Sequence, residues 1–367
     1  MNAVDELTVL RNIKMIEDKK VDLVLEGGYI KEVAEAGKGE GNGMDCTGRF
    51  VSSGWIDLHV HAFPEFKPYG DDIDDIGVKQ GVTTIVDAGS TGADRIGKLA
   101  ENSAAAKTNV FAFLNISKIG LERVDELSQL SWLDMEKAKQ AIESHNDLIV
   151  GLKARISQSV VGENGIVPLQ LARELSNESG KPLMVHIGSA PPKIEEVIPL
   201  LKQGDVITHF LNGKENNLFD DGKPLSVLQE AIERGVHLDV GHGTSSFSFE
   251  VAEAAKASGV RFDTISTDIY KDNRLNGPVY GMANLLTKFL ALGYSLEEVI
   301  DGVTVNAANW LKKPALGRIR AGERANLTLF SVKDEPIVLV DSYGTERTYH
   351  QTIQAEGVIV NGEYIKC

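Results

Sequence analysis

The chain has 367 residues, 42% hydrophobic and 25% charged, with 38 basic against 53 acidic side chains and a formal charge of −15. This is ordinary globular composition, and its acidic balance argues against nucleic-acid partners, which need basic patches to meet phosphates. Two cysteines, Cys46 and Cys367, fit a reducing compartment; no apolar run nears the ~20 residues that span a bilayer, and the start MNAVDELTVLRNIK lacks a secretory pattern, so a cytoplasmic protein off the membrane is expected.

Residues 7–53 read as short alternating strands, LTVLRNI, KMIEDK and VDLVLEGGYIKEV. They are followed by GKGEGNG (37–43). With no helix behind them, these glycines are read as a hairpin turn rather than a phosphate cradle. GWIDLHVHAF (54–63) comes next, with Asp57, His59 and His61 at every second position. In a strand these three share one face, and Ile56, Leu58 and Val60 the other.

Seven further strand candidates follow: 83–90, 109–117, 148–157, 182–189, 205–212, 236–243 and DTISTDIY (263–270). Between them lie segments of helical period such as 168–179, 223–235 and 248–259. Eight βα units fit an α/β fold of the (β/α)8 TIM barrel type, for which ~250 residues is typical; a doubly wound open sheet is the competing fold. After a helical stretch near 295–313 the chain returns to short strands, ANLTLFSV, IVLVDS, TYHQTIQ and GVIVNGEYIKC. The division expected is therefore 1–54 and 318–367 as a small β-sandwich built from both ends, with the barrel at 55–317.

In α/β barrels the reactive side chains sit at the C-terminal ends of strands. His59 and His61 end the first strand, Lys153 and Arg155 share a face of the fourth, His186 and His209 lie late in the fifth and sixth, and Asp268 closes the eighth. Singly, each histidine has a plain alternative as a hydrogen-bonded core residue. Together, five strands bring metal-competent groups to one rim, and packing explains that poorly because unpaired buried polar groups are costly. Four imidazoles and a carboxylate exceed the need of one tetrahedral ion with an open position, so two divalent ions, zinc by ligand type, are expected. Lys153, in the apolar run IVGLKARI, is read as their bridge: a buried amine with depressed pKa can take up carbon dioxide as a carbamate. Its alternatives are snorkelling or an ion pair. Arg155 would stabilise an oxyanion or hold a substrate carboxylate, or else pair with a barrel acid. His242, between glycines after the seventh strand, is a weaker candidate for substrate contact; His237, Asp239, His145 and His350 read as structural or solvent-facing. KDNRLNGPVYG (271–281) reads as a loop bordering the pocket.

These residues carry a resemblance. DCTGRFVSSGWIDLHVH (45–61) and TVNAANWLKKPALGRIRAGERANLTLF (304–330) resemble the entry and return segments of the amidohydrolase superfamily. Ser53 stands where that family has proline, and Asn326 where it has aspartate. The resemblance implies that His59 and His61 bind the more buried ion and His186 and His209 the more exposed one. Lys153 would be the carboxylated bridge, and Asp268 both ligand and proton shuttle. His186 is followed by IGSA, without the glutamate of mononuclear deaminases, and Phe63 stands where dihydroorotases have arginine. The bacterial deacetylase branch is the expectation, acting on a small-molecule acyl ester or amide such as an acetylated hydroxy or amino acid. The alternatives are a cyclic amidase, an adenine-type deaminase, or a scaffold on the same fold, and homo-oligomerisation is left open.

Overall fold

The computed structural model describes residues 9–367. Seven parallel strands lie side by side in the order the chain makes them: β1 (Trp55–Val60), β2 (Val82–Ala88), β3 (Asn109–Asn115), β4 (Ile149–Ile156), β5 (Leu183–Ile187), β6 (Val206–Thr208) and β7 (His237–Asp239). Helices stand between them as the 3.6-residue periods predict, for example Val167–Ser179, Ser226–Glu233 and Phe249–Ala257. The first of these carries Pro168 in its opening turn, buries Leu169, Ala172 and Leu175, and ends on Gly180 at φ 68°, the left-handed cap that glycine accepts at least cost. The expected α/β fold is therefore what forms.

The eighth strand candidate, 263–270, does not form a regular strand. Thr264 bridges Asp239 of β7 and Ile269 bridges Val60 of β1, so the segment closes the gap between the first and last strands. The amides of Thr267, Ile269 and Tyr270 are taken by side chains instead of a ladder. Asp57 accepts the Thr267 N–H at 3.0 Å and the Thr267 hydroxyl at 2.5 Å, and Asp268 sits at φ 50°, outside the extended region.

Strict alternation in β1 also fails. Its pairing with β2 shifts register between Asp57 and Val60. Ile56 and Leu58 pack with Val86, Ala88, Met184, Val206 and the alanines of helix Val305–Trp310, whereas Val60 joins the other, larger core with Ala62 and Phe63. A register slip of this kind re-aims side chains at a strand's end.

Both flanks meet in one mixed sheet. Leu327–Lys333 pairs antiparallel with Phe50–Ser53 on one side and Thr352–Val360 on the other, and Val9–Lys14, Lys20–Glu26 and Tyr29–Glu35 extend it. KMIEDK contributes only the end of one strand and a turn. The glycine-rich stretch is a loop but not a hairpin: the strand after it, Gly43–Asp45, runs parallel to Val9–Lys14. Asp22 accepts the N–H groups of Gly37 and Gly39 at 2.9 and 3.0 Å, so the amides a phosphate would need are already used. Among the described residues no helix is long and apolar enough to cross a membrane.

Candidate metal centre and pocket

His59 and His61 leave the end of β1 with their Nε2 atoms 3.4 and 3.1 Å from Asp268 Oδ1. One ligand atom from each of the three lies within 4.8 Å of the others. Burial drives the His59 imidazole down to about 4, and the nearby Lys153 amine adds to that, so its ring is neutral near pH 7. Burial alone would raise the Asp268 carboxyl, but the His59 and His61 imidazoles and the His61 hydrogen bond hold it well below the usual carboxylate range.

The tautomers follow from what lies behind the rings. Asp239 is buried and accepts hydroxyl protons from Thr208 (2.8 Å), Thr264 (2.7 Å) and Ser266 (2.6 Å). With its proton given to Asp239, Thr208 Oγ1 must accept from His59 Nδ1, 2.8 Å away. His59 Nε2 is then a bare lone pair. Ser266 Oγ accepts the Gly241 N–H at 3.0 Å, and the Gly241 carbonyl, which can only accept, lies 2.5 Å from His209 Nδ1. His209 Nε2 is therefore also bare, and it is buried with no partner among the described residues. An unsatisfied buried acceptor is expensive, and a second-shell carbonyl behind an imidazole is the usual way to present nitrogen to a cation. These residues fit a metal.

His186 stands against His209 with ring centroids 4.4 Å apart, and His59 lies 5.0 Å from His209 on the other side. Burial keeps both His186 and His209 well below the ordinary histidine value. Lys153, 1% exposed, places Nζ 3.2 Å from His59 Nε2 and 3.3 Å from Met184 Sδ. It has no carboxylate partner among the described residues, and burial pushes its amine down to about 7. Two glycines make room. A Cβ on Gly89 (φ +79°) would come within 2.5 Å of Lys153 Cβ, and one on Gly243 (φ +54°) within 2.3 Å of Asp268 Oδ2. His209 and Asp268 themselves hold φ values of 68° and 50°, backbone strain of the kind that collects at functional sites.

These groups form one wall of a cavity of about 380 Å³. Arg155 lines it too, with Nη1 3.1 Å from the fully buried Glu126 carboxylate and its guanidinium 5.5 Å from the centre of the Tyr69 ring. Arg155 thus lines the cavity and forms the ion pair with an acid in the same side chain. His242 is not brought to the cavity. Its ring stacks on Phe247 at 4.6 Å, Nδ1 donates to the Gly243 carbonyl at 2.8 Å, and Nε2 accepts from buried Lys288 at 2.9 Å. The residues at 271–276 form a helix rather than a loop, at whose start Asn273 Oδ1 accepts the Tyr270 N–H at 2.9 Å, and only Tyr270, just before it, reaches the cavity.

Sequence reasoning missed Tyr69, Ser157, Ser189, Lys214 and Thr244, which also line the cavity. They lie on loops beyond strand ends, where no periodicity marks them. Lys214 alone left a signal, as a cation five residues after a candidate ligand.

An amidohydrolase family model matches residues 50–363. A deacetylase of Enterococcus faecalis is 45% identical over 319 residues, 86% of each chain. The crystal structure of an adenine deaminase superposes with a TM-score of 0.95 at 41% identity, covering 99% of this chain and 100% of that one. That of a dihydroorotase gives 0.91 at 32% identity, covering 98% of both.

Proposed function

We propose that this chain, which belongs to the amidohydrolase family, is a deacetylase that hydrolyses a small acyl ester or amide such as an acetylated hydroxy or amino acid. The observation that carries the reading is the bare, buried, unpartnered Nε2 of His209, set among His186, His59 and the Lys153 amine. The name of the Enterococcus relative supports the reaction type.

His59, His61, His186, His209, Asp268 and Lys153 would hold two divalent cations, zinc by ligand type. The ions would supply Lewis acidity, lowering the pKa of water and polarising a carbonyl. The uncharged Lys153 amine adds to carbon dioxide, forming an N–C bond and releasing one proton, and so becomes a carboxylate on a long stem. Asp268, beside both β1 imidazoles, orients the attacking water, takes its proton and returns it to the departing oxygen or nitrogen. Arg155, held by Glu126, meets negative charge developing on the acyl oxygen.

The test is a panel of N-acetyl and O-acetyl acids with zinc-loaded protein, run beside dihydroorotate and adenine. Turnover of acetyl compounds, with kcat lowered about 10³-fold in Asp268→Asn while most metal is retained, is the expected result. Turnover of dihydroorotate or adenine alone would overturn the deacetylase reading. Purified protein with neither stoichiometric metal nor hydrolytic activity would point to the scaffold.

A further inference from the structure

The cavity holds two cationic side chains besides Lys153, and they are not equivalent. Arg155 has its counter-charge in Glu126. Lys214 lines the same cavity, is half-buried, and has no ion pair or side-chain hydrogen bond among the described residues. The one carboxylate among the described residues that line the cavity, Asp268, is engaged with His61. In a chain of charge −15, the pocket thus presents a positive charge with no ion-pair partner among the described residues.

Lys214 is also held in place. Asn212, fully buried, donates from Nδ2 to the His209 carbonyl at 2.8 Å and accepts the Lys214 N–H at 3.0 Å. Asn217 donates to the Lys214 carbonyl at 2.6 Å, and the neighbouring Gly213 N–H donates to the Tyr343 hydroxyl at 2.9 Å. The lysine backbone is therefore fixed relative to His209, a candidate ligand five residues away. A half-desolvated ammonium on a fixed stem loses hydration that only a partner can restore, and a carboxylate restores it through charge-assisted hydrogen bonds.

We propose that Lys214 determines substrate specificity by receiving a carboxylate next to the scissile acyl group, while Arg155 stays tied to Glu126. The substrate class is then an N-acyl or O-acyl derivative of a small amino or hydroxy acid with its acid group free. This assignment rests on the deacetylase reading above and narrows it.

The experiment uses the metal-loaded enzyme and matched pairs: N-acetylalanine against N-acetylalaninamide, and O-acetyl-lactate against O-acetyl-lactamide. The wild type prefers the acid of each pair by about 30-fold in kcat/KM. In Lys214→Met that preference collapses to within a few-fold, mainly through a raised KM for the acids, and Lys214→Arg restores most of it. Lys214→Met keeping the wild-type preference, or a wild type without one, overturns the assignment and leaves the deacetylase reading standing. Should no acetyl compound be turned over, calorimetric titration with lactate and lactamide decides separately. Lactate binding weakened about 30-fold in Lys214→Met upholds the anion site, and equal binding removes it.

Discussion

Asp239 illustrates how much of a site is set by a residue that never faces it. Its carboxylate, acceptor-only when ionised, forces the Thr208 and Ser266 hydroxyls to point inward. That in turn fixes the Nδ1–H form of His59 through Thr208, while Ser266 holds the Gly241 N–H and so the loop whose carbonyl faces His209 Nδ1. An amide can donate where the carboxylate could only accept. Asp239→Asn is therefore expected to weaken zinc binding about 10- to 100-fold, read by competition with a chromophoric chelator, while far-ultraviolet circular dichroism stays native. An unchanged affinity would break the chain of tautomers. Lys153 permits a complementary check. Lys153→Ala should lose activity that short carboxylic acids partly restore, because they can occupy the cavity left by a carboxylated stem; wild-type rates without acid would exclude the carbamate. At this scale the sequence brought together His59, His61, His186, His209, Lys153, Arg155 and Asp268, because barrel strands place such residues at a common rim, but it misplaced His242, whose ring packs on Phe247 and Lys288 instead. It showed Asp239 only as a structural residue and Lys214 only as a cation five residues after a candidate ligand. The first acts through hydroxyls on two other segments, and the second sits in a loop shaped by asparagine side chains.

The helix Met282–Ala291 buries a lysine on its core side, and this has a measurable consequence. Lys288 is fully buried, donating to His242 Nε2 at 2.9 Å and to the Pro278 carbonyl at 2.7 Å. Burial lowers its pKa to about 7, with Asp341 pulling weakly the other way. Between pH 7 and the ordinary lysine value the unfolded chain binds a proton that the native state does not, so this group makes stability rise with pH by about 1.4 kcal/mol per unit. Below pH 7 both states are protonated and the contribution is flat. Lys288→Met removes the dependence. In urea unfolding, wild type minus variant should increase by about 1.4 kcal/mol for each unit from pH 7 to 9, and a constant difference would show that the amine is charged in the fold. Element-scale features were legible where burial was one-sided, as in the helices of 167–179 and 249–257. They were not where side chains replaced the ladder: Asp57 takes the amide that would have paired in 263–270, and Asn273 accepts the Tyr270 N–H at the start of a helix where asparagines and glycine suggested a loop.

The expected division at residues 54/55 and 317/318 cuts through packing rather than around it. Phe330 of the mixed sheet stacks on Phe50 at 5.5 Å and meets Trp55 of β1 at a tilt with centroids 5.4 Å apart, and the larger core includes Phe330, Leu339 and Ile353 together with barrel residues. Composition and strand spacing identify two styles of chain, but not how deeply they share a core, since that depends on contacts between residues nearly three hundred positions apart. Thr328 is one such contact: its hydroxyl accepts the Trp55 N–H at 3.0 Å and donates to the Gly81 carbonyl at 2.8 Å. Both backbone groups lie where the barrel strands begin, and Thr328 is fully buried. Thr328→Val keeps the shape and removes both bonds, leaving a buried donor and a buried acceptor unsatisfied, at a cost of about 3 kcal/mol. If the mixed sheet and the barrel fold as one cooperative body, urea unfolding of this variant followed by tryptophan fluorescence and by circular dichroism should show a single coincident transition at a lower midpoint with unchanged slope. Two separated transitions, with the fluorescence and circular-dichroism changes no longer coincident, would mean that the flanking strands and the barrel are independent units held together at their shared face.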